Sequence, residues 1–349
     1  MIAVNTVEEN VPAAVAPPLL LMGAGLLYPT PSGVSKASLD RADEIEDWAG
    51  RRVSAPVRKW FVRSLAGEIP MLSVLYSGPD GGGRSGYVSI KVLLSLLWKT
   101  SKPPFETVMT APALAELLDL PDPRGNGARR VRDALKALAA ANLIRLVPRP
   151  GTSPLIQLMN ETGDGEEYSL PSTSYVRSQL KKPNQEPVTD PNLYFQLPAE
   201  LWTEGFLQTL KGPGLVMLLI LLSEQANKNA VWFSGTEFID RYRISPSTRT
   251  KGTKELVDLG MLTLTSVPLP ETWGGSTFEQ QRRRYEYRLK GVINQLPNGE
   301  PASTASITGW PKSTGWPKPA DIEPASQASA TVKVKKRKSR RPKKRGGAT

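Results

Sequence analysis

The side chains best suited to a chemical task in this sequence are cations, set at spacings that gather them on surfaces. Arg129, Arg132 and Lys136 stand three and four residues apart. In a helix that spacing puts them on one face, together with Asp133. Val131, Leu135 and Leu138 form the opposite, apolar stripe. In a second segment Leu256 sets the core side, and Ser247, Thr250, Lys251 and Lys254 then point outward. Arg249 falls nearer the core side, in the first turn, with a stem long enough to swing out. Arg282, Arg283 and Arg284 follow Gln280 and Gln281, and Arg149 lies in the turn Pro148–Pro154. A guanidinium fork matches the O6/N7 acceptor pair of guanine, and Lys, Ser and Thr bond phosphate. These residues suit capture of a polyanion.

Composition removes most alternatives. The 349 residues include no His and no Cys. That excludes a Ser-His-Asp triad, a thiolate nucleophile and zinc sites built from His or Cys. The run Gly81-Gly82-Gly83-Arg84-Ser85-Gly86 fits G-x-G-x-x-G, after an apolar stretch, Ile69–Tyr76, and before a helix. No second parallel strand ends in an acid at the required place, since Glu106 follows Pro103-Pro104. A Gly-Lys pair is absent, and with it a Walker A loop. No metal, cofactor or enzymatic activity is expected.

Charge is concentrated at one end. The net charge is +12, and residues 333–345 hold ten Lys or Arg and no acid, leaving 35 basic against 33 acidic residues elsewhere. Lys335, Lys336, Arg337, Lys338, Arg340 and Arg341 form the densest part of this tail. It has no aromatic residue to stack on a base, so it adds affinity by counterion release and leaves specificity to other surfaces. Val11–Leu27 is apolar but interrupted by Pro12, Pro17 and Pro18, and no cation precedes Lys36. Neither a signal peptide nor a spanning helix is expected there, so the location expected is cytoplasmic, on the nucleoid.

The elements that must position these residues follow one order, twice. Short helices are expected at Asp43–Trp48 and Val57–Leu65. Then Val88–Trp98 reads as an apolar helix and Glu106–Met109 as a short strand. Thr110 caps a helix to Leu118, and Asp119–Gly127 is a turn. Ala128–Ala141 is a helix closed by Asn142, and Leu143–Val147 and Leu155–Met159 form a hairpin. The second pass has a helix at Gly214–Gln225 and a short strand at Val231–Phe233. Ser234 and Glu237 form a capping box for a helix to Tyr242. Ser245 caps and Pro246 opens a helix to Leu259, stopped by Gly260. Met261–Val267 and Arg282–Leu289 are strands. Ala134 and Gly252 occupy equivalent places, where only a small residue fits between the second and third helices.

This order resembles the winged helix-turn-helix family, and Ile244-Ser245-Pro246-Ser247-Thr248-Arg249 resembles the start of a recognition helix in bacterial regulators. The second unit, with Phe195-Gln196-Leu197-Pro198 and Leu201-Trp202 before it, resembles actinobacterial winged-helix proteins. The resemblance implies that the third helices enter the major groove and the hairpins act as wings. The expected class is α+β, mainly helical, with two winged helices, at 87–160 and 193–292. Around them lie a disordered arm (1–35), a helical lead-in with the Gly-rich loop (36–86) and a linker (161–192). A linker rich in Pro, Ser and Thr (293–332), with Thr308–Lys312 repeated as Thr314–Lys318, precedes the basic tail (333–349). The implied partner is double-stranded DNA, read mainly by the second unit, with a homodimer suited to paired half-sites. A transcriptional regulator is the first reading. A plasmid or mobile-element replication initiator is the second, because such initiators resemble this chain in carrying two winged helices. A protein–protein scaffold is the third.

Overall fold

The computed structural model describes residues 31–48, 54–63, 67–77, 86–100, 102–181, 190–225, 230–268 and 283–290. Residues 1–295 form one unit and 296–349 another; every described residue belongs to the first. The class is α+β, and among the described residues helices predominate over three small antiparallel sheets.

The chain starts with α1 (Lys36–Trp48), β1 (Ser54–Arg58), α2 (Lys59–Val62) and α3 (Met71–Ser77). A strand thus stands at the beginning of the helix expected over Val57–Leu65. Ala55 and Val57 are fully buried, and five residues of β1 pair with a strand far along the chain. Residues 31–35 are placed too, although the arm was expected to be disordered to residue 35. The Ser35 N–H donates to Asp119 Oδ2 at 3.3 Å, and the Ser35 Oγ caps α1 through Ser38.

The first pass comprises α4 (Gly86–Lys99), β2 (Glu106–Thr107), α5 (Ala111–Leu117), α6 (Asn126–Ala140), β3 (Ile144–Val147) and β4 (Leu155–Leu158). The sheet order is β2-β4-β3. Thr110 caps α5 by accepting from the Ala113 N–H, and Asn142 ends α6 with φ of 55°. The segment before the glycine run is α3, a helix, so the strand–loop–helix context of a dinucleotide fingerprint is missing. Of that run only Gly86, at the start of α4, lies among the described residues.

Residues 161–192 differ from a linker. Glu161 is fully buried, Tyr168 nearly so, and α7 (Pro171–Lys181) follows. Polar composition suggested a solvated spacer; ion pairing lets Glu161 sit inside instead.

The second pass begins with β5 (Tyr194–Pro198), α8 (Glu200–Thr203) and α9 (Phe206–Thr209). It continues with α10 (Gly212–Gln225), α11 (Gly235–Tyr242), α12 (Pro246–Asp258), β6 (Leu262–Pro268) and β7 (Arg283–Leu289). The strand expected over Val231–Phe233 reduces to one bridge, Val231 to Tyr287. Ser234 caps α11 by accepting from the Glu237 N–H, while the Glu237 carboxylate pairs with Arg241.

One hydrophobic core joins both passes. β1 and β5 pair antiparallel with Val57 opposite Phe195. Trp98 of α4 stacks on Trp202 of α8 with centroids 4.7 Å apart, and the Trp202 indole N–H donates to Ser95. Arg58 of β1 forms a buried pair with Glu161, and Arg63 lies 3.3 Å from Glu224 of α10. The lead-in is therefore part of the folded body, packed against both passes.

Candidate nucleic-acid interface

α6 is built to show one face. Asp122 opens it: its carboxylate accepts from the N–H groups of Gly125 at 3.1 Å and Asn126 at 2.8 Å. Those groups have no partner inside the helix, so the acid satisfies them and favours the positive end of the helix dipole. The acid stands three residues before the N-cap, Gly125, outside the position where a capping side chain is normally read from sequence. Gly127, Ala128, Val131, Ala134, Leu135 and Leu138 are buried. Arg129, Arg132, Asp133 and Lys136 are exposed, as the helical spacing required. Arg130 lies between the two faces, and its Nη2 donates to Tyr87 Oη at 2.8 Å, fastening α6 to α4. The β3–β4 turn leaves Arg149 exposed. Arg145, on the outward side of β3, is exposed as well. Strand alternation with Ile144 was the signal for it.

α12 keeps fewer of its expected contacts. Ser245 caps it by accepting from the Thr248 N–H at 3.2 Å, with Pro246 in the first turn. Ser247 and Lys251 are exposed. Thr250 is half-buried and donates to the Pro246 carbonyl at 3.1 Å. Lys254 is exposed but paired with Asp258 at 2.6 Å, an i,i+4 pair.

Arg249 does not swing out. It is 8 % exposed, and its Nε and Nη2 donate to Tyr287 Oη at 3.1 and 3.0 Å. Nη2 also lies 3.2 Å from the Phe233 carbonyl, and the guanidinium stands over the rings of Phe233, Phe238 and Tyr287. Ring quadrupoles and two acceptors replace the water that the cation loses. Arg249 is thus a core residue joining α12, α11 and β7, not a contact residue.

Gly252 packs on the first helix of its pass, not the second. A Cβ there would stand 2.2 Å from the Pro213 carbonyl oxygen and 2.5 Å from Met217 Cγ, both on α10. Glu255, next along α12, accepts from the N–H groups of Lys211 at 2.6 Å and Gly214 at 3.1 Å, capping α10.

On the second hairpin, Arg283 donates to Ser266 Oγ at 2.8 Å. Arg284 pairs with Glu286 at 2.8 Å and lies 5.1 Å from the Trp232 ring centroid. Arg282, Gln280, Gln281 and the tail residues Lys335, Lys336, Arg337, Lys338, Arg340 and Arg341 lie outside the described residues.

The buried charges serve the frame. Lys91 of α4 is 2 % exposed, donates to the Gln208 carbonyl at 3.0 Å, and is brought down to about 8 chiefly by desolvation. Burial pushes the Glu161 carboxyl up, and Arg58 opposes that shift. Among the described residues no group of three or more His, Cys, Asp or Glu is placed to hold a metal ion. No described helix is long and apolar enough to cross a membrane. No family model matches the chain, and neither a curated protein nor a solved structure shows significant similarity to it.

Proposed function

We propose that the chain binds double-stranded DNA sequence-specifically through two winged helices, residues 86–158 and 212–289, and regulates transcription. The observation that carries this is α6. One face is buried, and the other offers Arg129, Arg132 and Lys136 to solvent, with Arg145 and Arg149 exposed on the hairpin that follows. In a winged helix this third helix would lie in the major groove and the hairpin beside the backbone. Ser247 and Lys251 extend the same role to α12. With Arg249 internal and Lys254 paired, the first pass carries the denser cationic face.

A second reading, a replication initiator, draws support from the single core that both passes share. Two readers held in one body suit a fixed array of sites.

The test is enrichment of genomic fragments by the full-length protein at moderate salt, with the bound fragments sequenced. A recurrent site is expected, lost on Arg129→Ala with Arg132→Ala and weakened by Lys251→Ala. Sites at promoters support regulation; a cluster of direct repeats beside the gene supports initiation. Binding without any preferred site, or no binding, overturns both and advances the scaffold.

A further inference from the structure

We infer that the solvent face of the β6–β7 sheet, centred on Trp232, is a stacking platform for unpaired bases of single-stranded DNA. The inference extends the DNA-binding reading to a second, separate surface. It begins with the bridge between Val231 and Tyr287. The two residues exchange backbone hydrogen bonds of 2.9 and 2.7 Å, so residue 231 acts as a one-residue third strand. Val231 and Tyr287 are buried. Alternation then turns Trp232 to the other face, beside Glu286.

The register fills in the rest of that face. Arg284, Glu286 and Arg288 alternate along β7, opposite Val267, Thr265 and Thr263 of β6. Trp232 remains 49 % exposed with the Arg284 guanidinium 5.1 Å from its ring centroid. Among the described residues of this face Glu286 is the one acid, and Arg284 pairs with it at 2.8 Å, so the net positive charge of the face is that of Arg288. An exposed indole among arginines and threonines is the set that takes a nucleic-acid strand: ring to base, cation and hydroxyl to phosphate. Base faces in a duplex are covered by their neighbours, so a flat indole can stack only on a base that has left the helix. Trp48 is the other strongly exposed tryptophan among the described residues, at 65 %. It follows Glu46 and Asp47 in the sequence. Lys99 Nζ stands 3.9 Å from the Trp48 ring centroid and covers that ring more closely than Arg284 covers Trp232, which favours Trp232 as the open ring.

The test uses the full-length protein and a fluorescein-labelled oligo(dT), with affinity read by anisotropy at a salt concentration high enough to suppress the basic tail. Trp232→Ala is expected to weaken oligo(dT) binding by roughly 10-fold or more, and Trp232→Phe to retain most of it. Affinity for a duplex carrying the enriched site stays unchanged in both variants, which also reports that they fold. In the wild type, an oligonucleotide containing 4-thiothymidine crosslinks to the β6–β7 face. Unchanged oligo(dT) binding in Trp232→Ala, or crosslinks confined to residues 333–345, overturns the platform. Equal loss of duplex and single-strand binding in both variants overturns it too, by assigning Trp232 to the duplex surface. If no duplex site is enriched while the oligo(dT) results hold, the duplex reading fails and the platform stands.

Discussion

An arginine in the first turn of α12 has two fates, contact with a partner or service in the core, and the two predict opposite phenotypes. Arg249 lies on the Tyr287 hydroxyl and three aromatic rings. Arg249→Met should leave the Tyr287 hydroxyl and the Phe233 carbonyl short of a donor, and lower unfolding stability in urea by about 2–4 kcal/mol. Lys251→Ala, two residues on and exposed, should change stability by less than about 0.5 kcal/mol while weakening duplex binding. If Arg249→Met unfolds at the wild-type urea concentration and loses only DNA affinity, the core assignment is wrong. The same logic separates Lys254 from Lys251: a lysine already paired with Asp258 must give up that partner to reach phosphate.

At the scale of elements, the crossing of α12 over α10 depends on one missing side chain. In Gly252→Ala the new methyl meets the Pro213 carbonyl, part of the backbone, so α12 must lift away. A loss of about 3 kcal/mol in urea unfolding is expected, with weakened DNA binding through the displaced α12. Gly235→Ala is the control, because nothing lies within 4 Å of the added atom, and it should be neutral or slightly stabilising. Equal stability of the two variants would refute the close crossing. The need for a small residue at position 252 was readable from the third helix's spacing, but its partner was not. Periodicity says which face is buried and is silent on which helix covers it. For the same reason the long helices, the caps at Thr110, Ser234 and Ser245, and both hairpins were legible: each is written in local sequence. β1 was not, because a five-residue strand containing Pro56 finds its partner only at Tyr194–Pro198. Nor was the burial of Glu161, which depends on Arg58 a hundred residues earlier. Arg249 is a related case: helical spacing places it near the core, but only the fold brings Phe233, Phe238 and Tyr287 around it.

At the scale of the whole molecule, affinity and specificity should separate. The folded body holds the candidate readers, whereas ten of the cations stand at residues 333–345 without an acid among them. Outside that segment the basic and acidic residues nearly balance, 35 against 33. On the proposed DNA-binding reading, long-range attraction belongs mostly to the tail, and discrimination between sites to short-range contacts of α6, α12 and the β3–β4 hairpin. Deleting residues 333–349 should weaken binding to specific and random duplexes by the same factor. The plot of log affinity against log salt should become shallower by up to about 9, the value for ten phosphate contacts on B-DNA. Titrations of both duplexes across a series of salt concentrations measure slope and ratio together. A preserved ratio with a flattened slope means that the body reads and the tail holds. A collapsed ratio would mean that the tail takes part in recognition. An unchanged slope would mean that the cations bound to phosphate lie on the body, with Arg129, Arg132 and Lys136 the first to substitute.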